Sequence, residues 1–123
     1  MDKAQAIHNF WSSFGLPAYD EQTVPDEAVM PYITYMVETD SLEGMLTLPA
    51  SIWYHSTSWA AVSRKAEEIA EYIVRQHPPA IKLDKGRLYL TKGTPFAQRM
   101  GDADDDMIRR IYLILNAEFL TAA

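Results

Sequence analysis

The chain has 123 residues, 48% hydrophobic and 23% charged, enough for one domain over residues 1–123 with its own core and too apolar for disorder. It has no cysteine, which removes disulfide frameworks, thiol nucleophiles and thiolate metal sites. A formal charge of −6 argues against nucleic-acid binding, since Lys and Arg supply that affinity by neutralising phosphates, and no run of either marks a local basic patch.

The N-terminus lacks the basic-then-apolar pattern of a signal peptide, and no apolar run approaches membrane-spanning length, so a cytosolic protein without a membrane partner is expected. The first element, DKAQAIHNFWSSFG, is a predicted short helix with Ile7, Phe10, Trp11 and Phe14 on one side and Gly15 as a left-handed stop. Leu16 to Met30, with Pro17, Pro25 and the acids Asp20, Glu21, Asp26 and Glu27, is predicted as an irregular connection of unusual length, which hints at work at a surface or interface.

PYITYMVETD is a predicted strand in which Ile33, Tyr35 and Val37 alternate with Tyr32, Thr34 and Met36, and DSLEG closes a hairpin. The next strand, MLTLPASIWY, puts Leu46, Leu48, Ala50, Ile52 and Tyr54 on one face, while Pro49 predicts an edge position or a bulge. The helix SWAAVSRKAEEIAEYIVRQH follows, with Trp59, Val62, Ala66, Ile69, Ala70 and Ile73 at steps of three and four. Ser56, Thr57 and Ser58 are its candidate caps, and Pro78-Pro79 ends it. The apolar strand and this helix form the predicted centre of the core.

AIKL and RLYLT are a second predicted hairpin around Asp84-Lys85-Gly86. KGTPFAQRMGDADDD has the composition of a loop, and MIRRIYLILNAEFLTA is the last strand, with Ile111, Leu113, Leu115, Ala117 and Phe119 on one face. The expected class is α+β, a mainly antiparallel sheet with two helices in the order α-β-β-α-β-β-β.

The search for chemistry is mostly negative. His8, His55 and His77 show no metal-site spacing, and no nucleophile elbow, dinucleotide or P-loop glycine pattern occurs, so neither catalytic, cofactor-binding nor metal-binding residues are assigned. Asp102, Asp104 and Asp106 fit positions one, three and five of a calcium loop, but Met107 replaces its Gly and Leu113 its bidentate Glu. Asp102, Asp104, Asp105 and Asp106 are therefore read as a solvated electrostatic turn, partly neutralised by Arg99, Arg109 and Arg110. Trp11 and Trp59 have core spacing, whereas Trp53 falls opposite Leu46 and Ile52.

The residues alone reach a soluble α+β domain. Over NFWSSFGLPAYDEQTVPDEAVMPYITY, SIWYHSTSWAAVSRKAEEIAEYI and KGTPFAQRMGDADDDMIRRIYLILNAEFLT the chain resembles the small tail terminator, or tail completion, proteins of long-tailed bacteriophages and prophages. That resemblance implies a sheet with two helices and a virion structural protein without catalytic residues. It implies a homo-oligomeric ring, usually of six subunits, on the end of the tail tube, with the major tail tube protein and the head connector as partners. The protein would be found in the host cytoplasm during assembly and at the head–tail junction of the virion. Another head–tail joining (neck) protein is the nearer alternative; a small-molecule-binding α+β module or enzyme is the more distant one.

The periodicity also leaves a face unaccounted for. With Leu46, Ile52, Ile33, Val37, Leu113 and Phe119 toward the long helix, the opposite side carries Tyr32, Met36, Met45, Trp53, Tyr112 and Ile114, too apolar for a solvated sheet face and hence a candidate subunit interface. The N-terminal helix, through Phe10, Trp11 and Phe14, is expected to cover part of it.

Overall fold

The computed structural model describes residues 2–37, 44–76, 80–84 and 86–121. Residues 38–43, where a hairpin turn is expected, Pro78-Pro79 and the side chains of Met45, Leu46 and Phe119 lie outside the described residues, as does Lys85.

The first helix, α1 (Lys3–Ser12), starts where the Asp2 carboxylate accepts the Gln5 N–H at 2.8 Å, satisfying one of the free donors of its first turn. Gly15 follows it at φ 82°, the left-handed position expected of it. Two strands come next: β1 (Ala18–Asp20), then, after a short 3-10 turn, β2 (Tyr32–Tyr35). They pair in parallel, Ala18 opposite Ile33. The segment expected to be irregular therefore contains an edge strand, which three residues are too few to betray by alternation.

The long strand β3 (Gly44–His55) pairs antiparallel with β2 and, along its whole length, with the final strand β6 (Ile108–Thr121). Pro49 favours an edge position or a bulge, yet β3 lies between β2 and β6. The missing N–H is tolerated because Pro49 lies just past the end of β2, where its carbonyl accepts the Met36 N–H at 3.1 Å. Helix α2 (Ala60–Gln76) is capped by Ser58, whose Oγ accepts the Ala60 N–H at 3.0 Å. Its stripe of Val62, Ala66, Ile69 and Ile73 is buried.

Strands β4 (Ala80–Leu83) and β5 (Gly86–Met100) form the second hairpin, with Gly86 at φ 136°. Here an expectation fails: Lys92–Met100 is not a loop but the second half of β5, paired with β6 as far as Met100 opposite Arg110. The register slips between Lys92 and Ala97, and this bulge absorbs Gly93 and Pro95, the residues that imitate a loop. The true loop is confined to residues 101–107.

The result is one six-stranded sheet of order β1-β2-β3-β6-β5-β4, antiparallel except at β1/β2, with both helices against it. The α+β class is as expected, with β1 added to the order. Helix α2 lies on β3, β5 and β6, while α1 touches β1 and β2 near one side and β4 on the other, so the sheet curls around the helices. Its inner face aligns Ile33, Ile52 and Ile111 in one cross-strand row and Tyr35, Ala50 and Leu113 in the next, all buried. Each Ile or Leu buried here contributes about 1.5–3 kcal/mol, so one row matters against a total stability of about 5–15 kcal/mol.

The helices also meet each other. Tyr72 of α2 packs edge-on against Phe14 at 5.6 Å and tilted on Phe10 at 6.1 Å, and Lys65 Nζ donates to the Phe14 carbonyl at 2.7 Å. His8 Nδ1 lies 2.8 Å from the Tyr35 hydroxyl on the inner face. The α1 stripe is thus spent on the same side of the sheet as α2. The expectation that Phe10, Trp11 and Phe14 cover the outer face is wrong, because a curled sheet offers α1 both of its margins on the concave side.

Candidate functional site

Strand alternation puts on the convex face every second residue of β1, β2, β3 and β6, and their side chains form a connected row. Tyr19 meets Tyr32 edge-on at 5.7 Å, Tyr32 lies 6.4 Å from Trp53, and the Arg110 guanidinium sits 4.5 Å from the Trp53 ring and 6.0 Å from that of Tyr112. The register explains the row: Tyr32 is directly opposite Trp53, and Trp53 directly opposite Arg110.

Beneath it lies a polar layer already satisfied from above. The Trp53 indole N–H donates to Thr34 Oγ1 at 2.9 Å, and Arg110 Nε donates to Ser51 Oγ at 3.0 Å. Thr34 and Ser51 are buried at 4% and 2% exposure, although they are polar and on the outer face. Trp53 and Arg110 therefore roof the sheet. What remains for contact is ring faces and guanidinium edge, held in place before any partner arrives.

Of the predicted interface residues, Tyr32, Trp53, Tyr112 and Ile114 share this face, and Met36, 38% exposed, continues the line of β2 beside Pro49. Ile114 is partly roofed by the β5 bulge, since a Cβ on Gly93 would come 2.7 Å from its Cγ2. Tyr19, Thr34, Ser51 and Arg110 belong to the site but were missed. Arg110 was findable, because it shares the parity of Tyr112; Tyr19 was not, because nothing in its own segment signals a strand.

The acidic turn sits at the end of the sheet, between β5 and β6. Asp102 Oδ1 accepts the N–H groups of Asp104 at 2.8 Å and Asp105 at 3.2 Å, and Asp105 Oδ1 accepts the Met107 N–H at 2.9 Å. The other Asp105 oxygen lies 3.0 Å from His55 Nε2. The Met107 N–H, foremost, with His55 and Arg109 behind it, holds the Asp105 carboxyl below its ordinary value. Of the three arginines expected to neutralise the turn, Arg109 acts on Asp105 without a direct ion pair among the described residues. Arg110 is on the outer face, Arg99 stacks over Trp59 at 5.0 Å, and Arg109 stacks there at 5.4 Å while donating to the Asp106 and Thr57 carbonyls. Asp102 and Asp105 also cap the backbone of this turn.

On the inner side burial pushes the Tyr35 phenol up, with the Asp20 charge adding to it, so its hydroxyl stays protonated toward His8. Both His8 nitrogens are engaged, the second with Ser12 Oγ at 3.3 Å.

Compared with protein families, with curated proteins and with solved structures, the chain finds no match in any of the three.

Proposed function

We propose that this protein is a structural component of a bacteriophage tail, a terminator-type subunit that assembles as a ring on the end of the tail tube. There it stops polymerisation and presents a surface to the head connector. On this reading it works in the host cytoplasm during assembly and stays in the virion at the head–tail junction, and it performs no catalysis.

The sequence resemblance motivates the proposal, and one observation carries it. The convex face displays a pre-ordered aromatic row from Tyr19 to Tyr112, while both helices are engaged on the opposite face. Half-exposed Tyr and Trp with an interleaved Arg are the composition of protein–protein contact cores. A row crossing four strands is also broader than a single helix covers.

The test is to measure assembly mass and tube-end binding for wild type and for Tyr112→Glu. The new carboxylate is accommodated beside Arg110 in the free subunit but resists burial under a partner. Wild type is expected as a multimer, alone or on tail-tube ends, and the variant as a folded monomer. Binding to head connectors without binding to tube ends would instead assign the protein to the neck.

A further inference from the structure

A second surface of the sheet is left open, on the strand that the sequence disguises as a loop. Strand β4 pairs only with Gly86–Tyr89 of β5, so among the described residues the outer edge of β5 from Thr91 to Met100 meets no strand. Thr91, Lys92 and most of the following residues are exposed. Free backbone donors and acceptors of this kind are a template for an added segment. Beside the edge, α2 and β5 bound a recess of about 370 Å³ lined by Ala70, Glu71, Val74, Arg75 and Lys92. Val74 is 45% exposed, an apolar side chain in the recess wall, and Arg75 is engaged only loosely with Glu71 at 3.6 Å on the surface. The recess thus offers an apolar wall rimmed by Arg75, Lys92 and the Glu71 carboxylate, a net positive charge of one.

The chain also contains the complement of that recess. Residues 16–31 include Asp20, Glu21, Asp26 and Glu27 and no Lys or Arg. In their midst Val29 is 78% exposed, well above Val74 and Met36, and is separated from the exposed Asp26 and Glu27 by Ala28 alone. An apolar side chain pushed into solvent behind two carboxylates matches an apolar wall flanked by Arg75 and Lys92. The two surfaces belong to opposite sides of the sheet, β1/β2 and β5, with β3 and β6 between them.

We propose that residues 24–30 of a second copy dock in the recess between α2 and β5, with Val29 against Ala70 and Val74 and with Asp26 and Glu27 facing Arg75 and Lys92. Because donor and acceptor surfaces lie on opposite sides of the sheet and do not share one interface, the contact is head-to-tail, and repetition of it closes a ring or extends a filament. The donor segment leaves from β1, the strand that carries Tyr19, so it is continuous with the aromatic row and makes one contact side with it. This rests on the ring reading above and supplies its polarity.

Charge reversal tests it, with mass read by light scattering at matched concentration and moderate salt, and with folding checked by thermal melts. Asp26→Lys/Glu27→Lys and Arg75→Glu/Lys92→Glu are each expected to fold and to raise the concentration for half-assembly on the order of tenfold or more, since like charges then face each other. Mixing the two variants is expected to restore assembly, as is combining all four changes in one chain. Val29→Ser, which alters no charge, is expected to weaken assembly in the same direction. Wild-type assembly that survives either reversal, or loss that neither the mixture nor the fourfold variant repairs, overturns this docking and leaves the ring reading standing. A wild type that remains monomeric both alone and on tube ends overturns both.

Discussion

Asp105 is the residue with the most local consequence, because one carboxylate holds the Met107 N–H with one oxygen and His55 with the other. Its folded-state pKa is depressed, so the unfolded chain binds more protons just below the ordinary aspartate value of about 4. This contribution to stability is therefore complete above that value and is lost as pH falls through the folded-state value. Asp105→Asn keeps an acceptor for Met107 but removes the charge, and thermal melts across the acid range should show a shallower fall than wild type. A parallel pair of acid limbs would mean that the turn owes nothing to that charge. Trp53 gives a second prediction at this scale. Trp53→Phe leaves the buried Thr34 hydroxyl without its donor and should cost about 1–2 kcal/mol in denaturant titrations. Adding Thr34→Val should recover part of the loss, because neighbours sharing one hydrogen bond are not additive.

Elements that repeat an apolar period were legible, and elements defined by their partners were not. Helix α2 and the inner faces of β3 and β6 follow from steps of three, four and two, and the residues read as core there, such as Ile69 and Leu113, are fully buried. Strand β1 went unread because its three residues gain strand character only from a parallel neighbour. The upper half of β5 went unread because Gly93 and Pro95 punctuate it, although β6 holds it through the bulge. The bulge in turn predicts an effect of Gly93→Ala. Its Cβ would meet Ile114 Cγ2 at 2.7 Å and the Ile114 carbonyl oxygen at 2.8 Å, and the backbone oxygen has little room to retreat. A loss of about 1–3 kcal/mol is expected in an equilibrium melt; an unchanged melt would show that the bulge slides freely along β6. The outer face was legible as apolar from alternation alone, but its cover was misassigned, since periodicity says which side of α1 is apolar and not which side of a sheet it seeks.

At the scale of the whole molecule the two faces of the sheet divide the work. The concave side is closed by α1 and α2 into a core that needs no partner. The convex side and the margins carry the surfaces on which the proposed assembly rests: an aromatic row with its polar groups already paired, an acidic segment on one side and a recess bearing Arg75 and Lys92 beside Glu71 on the other. Whether the chain assembles through these surfaces is decided by the solution mass of wild type and of Tyr112→Glu, measured alone and with tail-tube ends. Wild type is expected at a mass several times the 14.0 kDa of the chain, six times for the proposed ring, and the variant at 14.0 kDa with a cooperative melt that no longer depends on concentration. A wild type that stays at the mass of one chain under both conditions, or a variant that assembles as wild type does, would contradict assembly through these surfaces.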